Sequence, residues 1–181
     1  MTNSNLSGAE AALLGLLSEK TMHPYEIEQE VKYRDMRYWT ELSMSSIYKL
    51  LRKLEREGMV YKREQKSPEN RLRKLYSIST EGERALKSRI RALLSEPEHT
   101  RWQVDIGTYN SNILSDNEVR EALHKYRQSL REKISGYRDL QKFLEDSGCP
   151  RYRLAVAIRP VYLLEAEIGW VNSVLTQLSR K

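Results

Sequence analysis

Residues 43–58 read Ser43-Met44-Ser45-Ser46-Ile47-Tyr48-Lys49-Leu50-Leu51-Arg52-Lys53-Leu54-Glu55-Arg56-Glu57-Gly58, and this stretch decides the fold. Ile47, Leu50, Leu51 and Leu54 recur in steps of three and four, which is the apolar stripe of an amphipathic helix. Ser43 or Ser45 is suited to cap its first turn, and Gly58 stands where helices stop. The opposite face carries Ser45, Lys49, Arg52 and Arg56, with Ser46, Tyr48 and Lys53 on its flanks. No acid precedes Glu55, so the helix is basic or hydroxylic wherever it is not core.

Two shorter helices precede it. Ala9, Leu13, Leu14, Leu16 and Leu17 predict a helix over residues 8–19 with Ser7 as its N-cap. His23-Pro24-Tyr25-Glu26-Ile27 opens a second, because Pro24 loses nothing at a helix start; Ile27 and Val31 give it an apolar side, and it fades near Arg34–Arg37. Downstream the period changes. Residues 59–65 read as a strand and 74–79 as its partner, joined by the basic, turn-rich loop 66–73. A hairpin this small must pack on the helices before it. Thr80-Glu81-Gly82-Glu83 has the form of a capping box with Thr80 as N-cap, opening a helix through Leu86, Ile90, Leu93 and Leu94.

Charge is distributed to match. Residues 43–91 hold 14 basic and 6 acidic side chains, a net of +8, whereas 1–42 net −3 and 92–181 net +1. Nearly the whole cationic excess therefore sits in one stretch, the electrostatic footprint of a polyanion partner. The single cysteine, Cys149, excludes an intramolecular disulfide and a cysteine metal cluster. His23, His99 and His124 have no zinc spacing, and neither a Gly-rich phosphate loop nor a nucleophile motif occurs. No enzyme, metal or cofactor is expected. The start of the chain lacks a basic leader and its apolar run is short, so the expected location is the cytoplasm, with no membrane partner.

The second half reads as a helical hairpin. A short helical connector over 102–114 leads to Ser115-Asp116-Asn117-Glu118, which caps a long helix marked by Val119, Leu123, Tyr126, Leu130, Ile134, Tyr137, Leu140 and Leu144. After the turn Ser147-Gly148-Cys149-Pro150, a last helix runs from about Tyr152 to Leu178, with a kink expected at Pro160. About thirty residues make a rod of roughly 45 Å, against roughly 25 Å for a compact domain of this size. Two such broad-striped rods leave apolar surface uncovered, and a second copy of the chain is the simplest cover. Leu123, Tyr126, Leu130, Tyr137, Ile168, Trp170, Val171 and Leu175 are the expected dimerisation residues.

These pieces assemble into a mainly α protein with a small β-hairpin: an N-terminal winged helix-turn-helix over 1–96 and a C-terminal helical hairpin dimerisation domain over 97–181. The ordered set His23-Pro24-Tyr25-Glu26-Ile27, Ser46-Ile47-Tyr48, residues 51–60 and residues 73–82 resembles the PadR family of transcriptional regulators, over about residues 8–95. The C-terminal half resembles the larger members, whose second domain is a helical dimerisation unit. Two positions depart from the pattern: Lys49 stands where many relatives carry Pro, and Leu75 replaces an aromatic before Tyr76.

The resemblance implies a regulator, more often a repressor, that binds a palindromic operator in double-stranded DNA as a homodimer. In a helix-turn-helix the N-terminal end of the second helix enters the major groove, about 12 Å wide. That assigns base or flanking contacts to Ser45, Ser46, Tyr48, Lys49, Arg52 and Lys53. Lys66, Arg71 and Arg73 of the wing are assigned to the adjacent backbone or minor groove, and Tyr25 at the start of the second helix to a phosphate. Core packing explains Tyr48 as well as DNA contact does, and a solvated surface explains Lys53 and Arg56. Some relatives respond to small aromatic effectors, and Trp102, Tyr109, Tyr126, Tyr162 and Trp170 offer such a lining; helical packing accounts for them equally. A winged helix that docks protein or RNA, and a transcriptional activator, are the alternatives.

Overall fold

A computed structural model describes residues 6–66 and 72–179. The chain divides into two compact units, Met1–His99 and Thr100–Lys181.

The first unit begins with α1 (Gly8–Glu19), whose Ser7 cap is reciprocal: Ser7 Oγ accepts from the Glu10 N–H at 3.2 Å, and the Glu10 carboxylate accepts from the Ser7 N–H at 2.8 Å. In α2 (Pro24–Tyr33) His23 does the same, accepting from the Tyr25 N–H through Nδ1 while Glu26 accepts from the His23 N–H. A 3-10 turn at Met36–Tyr38 follows, entered through Asp35 at φ 48°. Next comes α3 (Met44–Arg56), capped by Ser43 and ended at Gly58 with φ 70°. Strands β1 (Val60–Lys66) and β2 (Leu72–Ile78) pair antiparallel, Val60 opposite Ile78 and Lys66 opposite Leu72. Helix α4 (Thr80–Ser95) completes the unit.

Two details differ from the sequence reading. The cap of α4 is Ser79, not Thr80: Ser79 Oγ accepts from the Gly82 N–H at 2.9 Å and donates to the Gly58 carbonyl at 2.7 Å. Ser79 can do both because it is buried at the hairpin's base, where Thr80 is exposed. In addition, Met22 exchanges two backbone hydrogen bonds with Tyr76, each 2.9 Å, so the hairpin gains a one-residue third strand.

The core of this unit joins Leu13, Leu14, Leu16 and Leu17 of α1 to Ile27 and Val31 of α2, Ile47, Leu51 and Leu54 of α3, Val60 and Tyr76 of the hairpin, and Leu86 of α4. Gly82 permits the closest approach: a Cβ there would stand 2.1 Å from the Met59 carbonyl oxygen. Beyond Leu86 the apolar stripe of α4 lies open, with Ile90, Leu93 and Leu94 exposed.

The second unit contains α5 (Gln103–Tyr109), a 3-10 turn at Ser111–Ile113, α6 (Asp116–Asp146) and α7 (Arg151–Leu178). Ser115 caps α6 in a box with Glu118. Gly148, at φ 67°, turns the chain into α7, which stays helical across Pro160. The two long helices run antiparallel: Arg120 donates to the Leu178 carbonyl, Arg138 pairs with Glu165 at 2.7 Å, and Gln141 donates to the Ala157 carbonyl. Leu130, Val171 and Leu175 form the centre of their seam, flanked by Leu123, Tyr126, Leu164, Ile168 and Trp170.

Of the eight side chains expected at a contact between copies, Leu130, Val171 and Leu175 are thus covered within one chain and offer little area to a second. Leu123, Tyr126, Tyr137, Ile168 and Trp170 are half-buried. The open apolar side chains lie elsewhere, at Trp102, Ile106, Ile113, Phe143, Tyr152 and Val156. No helix among the described residues is long and apolar enough to cross a membrane.

Candidate nucleic-acid interface

The placement of α3 follows from its two faces. Ile47, Leu51 and Leu54 are fully buried, which turns Ser45, Tyr48, Lys49, Arg52 and Arg56 outward. With Leu50 and Lys53 these residues line one shallow depression along the helix. No acid among the described residues pairs with Lys49, Arg52 or Arg56, so their charge is presented outward.

The first turn of α3 is organised by hydroxyls. Ser43 Oγ accepts from the Ser46 N–H at 3.2 Å. Ser46 Oγ accepts from the Ser43 N–H at 2.7 Å and donates to the Ser43 carbonyl at 2.8 Å. Ser46 is therefore engaged in holding the helix start, and Ser45, one residue earlier, is exposed and shares a single hydrogen bond of 3.0 Å with the Ser43 hydroxyl. Tyr48 is 43% exposed, which places it on the outer surface rather than in the core.

Lys53 behaves differently from its neighbours. Its Nζ hydrogen-bonds Glu10, a carboxylate of α1 that is 2% exposed. Burial opposes ionisation of Glu10, but Lys53 and the Ser7 N–H outweigh it and hold the carboxyl below its usual range. The bond to Glu10 in turn raises Lys53, so the pair is ionised. The pairing escaped the sequence reading because its members are 43 residues apart. The one local signal was an acid at Glu10 within the apolar run 9–17.

A second ionic cluster fixes the segment leading into α3. Arg37 donates to both oxygens of buried Glu28 at 2.8 Å and to the Leu42 carbonyl at 2.8 Å. The Arg37 hydrogen bond, ahead of the opposing cost of burial, keeps the Glu28 carboxyl depressed.

The wing supplies Lys66 at the end of β1 and Arg73 opposite Gln65, both exposed. Arg71 lies outside the described residues. Lys62, on the same strand, is paired with Glu55 of α3 at 2.7 Å, which ties hairpin to helix. Tyr25 is 58% exposed at the start of α2. Sequence reasoning passed over Arg63, which is exposed on β1, and the exposed Tyr38 and Trp39 between α2 and α3.

Three helices, the third with a cationic outer face, followed by a β-hairpin define a winged helix-turn-helix protein. Residues 13–88 match the model of the PadR-like family of transcriptional regulators. Its members are DNA-binding regulators rather than enzymes. PadR of Bacillus subtilis, solved in complex with operator DNA, is 21% identical, with a TM-score of 0.75 over 93% of this chain and 98% of that one. The same protein solved with p-coumaric acid gives 0.76 at 21% identity, over 94% of each chain. The virulence activator AphA of Vibrio cholerae gives 0.64 at 19% identity, over 96% of this chain and 99% of that one. These likenesses extend the shared fold to the second unit. A search of curated protein sequences gives no match.

The second unit contains a groove of about 990 Å³ between α5, α6 and α7. Trp102, Tyr126, Leu163 and Trp170 form its apolar walls, and Arg101, Lys133 and Glu167 its polar ones. Of the five aromatics expected around an effector, Trp102, Tyr126 and Trp170 line it, while Tyr109 and Tyr162 are exposed outside it. Tyr126 donates to Glu167 at 3.1 Å. Burial, followed by the nearby Glu167 charge, raises the Tyr126 phenol.

Proposed function

We propose that this chain is a sequence-specific DNA-binding transcriptional regulator of the cytoplasm, acting as a homodimer on a palindromic operator and repressing the genes beside it. The observation that carries the reading is the outer face of α3, where Ser45, Tyr48, Lys49 and Arg52 lie exposed with no acid of the described residues paired to either cation. Lys66 and Arg73, with Arg71 by sequence, add phosphate contacts from the wing, and Tyr25 adds one from α2. Phosphate contacts supply affinity, and base contacts supply choice. Homodimerisation is supported by the apolar side chains left open on the second unit, and a palindrome follows from two-fold symmetry.

The second unit's groove supports a small aromatic effector. Its tryptophans offer stacking surface, and Arg101 and Lys133 favour an acidic substituent. PadR of Bacillus subtilis has been solved with such a compound, p-coumaric acid.

A gel shift with DNA from upstream of the chain's own coding region, competed by random duplex and by RNA, tests the reading. Retention on the upstream DNA against both competitors is expected. Equal displacement by random duplex would remove sequence specificity, and displacement by RNA alone would favour an RNA-docking winged helix. In a reporter assay, loss of the protein should raise expression; a fall would identify an activator.

A further inference from the structure

We propose that Glu10 is a positioning residue that withholds Lys53 from DNA, so that the recognition helix meets the phosphate backbone with one cation fewer than its sequence offers. The inference rests on the DNA-binding reading. Lys53 lines the same depression as Lys49, Arg52 and Arg56, so by place it belongs to the DNA-facing surface. By bonding it belongs to the interior, since its ammonium is held by a carboxylate 2% exposed. The other oxygen of Glu10 accepts the Ser7 N–H at 2.8 Å, which anchors the carboxylate to the start of α1. Glu57, one turn along α3, adds a weaker attraction on Lys53 at 3.9 Å.

Competition for Lys53 is unequal. A phosphate at the protein surface attracts it through water and salt, which screen the interaction. Glu10 attracts it from a side chain that is 2% exposed, so although Lys53 itself is 44% exposed, the carboxylate end of the pair is screened less than a surface phosphate. Leaving for a phosphate would also strand an ionised carboxylate in the core, the costly outcome for a buried pair. Lys53 therefore stays with Glu10 when DNA binds. A cation that any sequence would attract is removed, while Lys49 and Arg52 remain to meet the groove. Because a phosphate contact adds equally to specific and non-specific binding, its absence lowers overall affinity and the salt slope and leaves the ratio between sites unchanged.

The test uses full-length protein and a fluorescently labelled random-sequence duplex of about 30 base pairs, with anisotropy read from about 50 to 200 mM KCl. Each phosphate contact contributes about 0.9 to the slope of log affinity against log salt. Glu10→Gln keeps the side chain's shape and its bond to Ser7 but gives up the charge that holds Lys53. It is expected to steepen the slope by about 0.9, so that its gain over wild type shrinks about 3.5-fold across that salt range. The double variant Glu10→Gln/Lys53→Met removes both charges together, which protects the fold, and is expected to keep the wild-type slope. A double variant shallower by about 0.9 would show that Lys53 already touches phosphate and would overturn the inference. A folded Glu10→Gln protein with the wild-type slope would overturn it as well. Wild-type protein that fails to bind duplex would overturn the DNA-binding reading and this inference together.

Discussion

The two units are built from similar amounts of chain and bury very different amounts of it. Among the described residues the first unit has eighteen buried hydrophobic side chains and the second has six. Helices α1, α2 and α3 pack around one shared core, in which Leu13, Leu14, Ile47 and Leu51 lose all contact with water. Helices α6 and α7 share only a line. Each shows one stripe to the other, and Phe143, Tyr152 and Val156 are left outside it. A domain that closes on itself can be stable alone, whereas a two-helix hairpin reaches comparable burial only with another surface. The asymmetry is one of closure: the first unit covers its apolar side chains within one chain, and the second leaves Phe143, Tyr152 and Val156 open.

The largest effect that would sharpen this contrast is expected for Leu51→Ala. The side chain is fully buried, and its loss should destabilise the first unit by about 2–5 kcal/mol while hydrogen exchange in α6 and α7 stays unchanged. Equal loosening of both units would break the division. Gly82→Ala should follow, at about 1–3 kcal/mol, because the new methyl group meets the Met59 carbonyl; chemical denaturation measures it, and an unchanged midpoint would mean that the hairpin base can yield.

Acid should also act unequally. Glu10 and Glu28 have folded-state pKa values held below 4.5, so their stabilisation is present above that value and is lost as pH falls through the lower, folded one. Both lie in the first unit, where exchange protection should therefore fall first between about pH 5 and 3. Protection that declines first in α6 and α7 would contradict the assignment. The smallest change in subunit stability is expected for Phe143→Ser, which removes an exposed ring and should cost less than about 0.5 kcal/mol in the isolated chain. Its visible effect should be weaker self-association in sedimentation, and an unaltered oligomer would remove Phe143 from the contact.

What the sequence made legible was whatever repeats locally. The stripes of α1, α3, α6 and α7 announce themselves by period, and Ser7, Ser43 and Ser115 by their place before those stripes. The cap of α4 slipped by one residue because Ser79 and Thr80 are both good caps, and only burial beneath the Gly58 carbonyl separates them. The Met22–Tyr76 pairing involves a single residue, too short to carry any period. Lys53 reads as one more cation on a basic face, and its partner lies in another helix. For the same reason Leu130, Val171 and Leu175 could not be told from the rest of their stripes: sequence shows which face is apolar, and packing decides what covers each part of it.

Met22's double bond to Tyr76 has a mechanical consequence. It clamps the hairpin at the Lys62–Tyr76 pair, while the four pairs from Arg63–Leu75 to Lys66–Leu72 project beyond the clamp. At about 3.3 Å per residue the overhang is roughly 13 Å. The wing is thus a cantilever rooted in the segment between α1 and α2, and a small tilt at Met22 is magnified by the time it reaches Lys66.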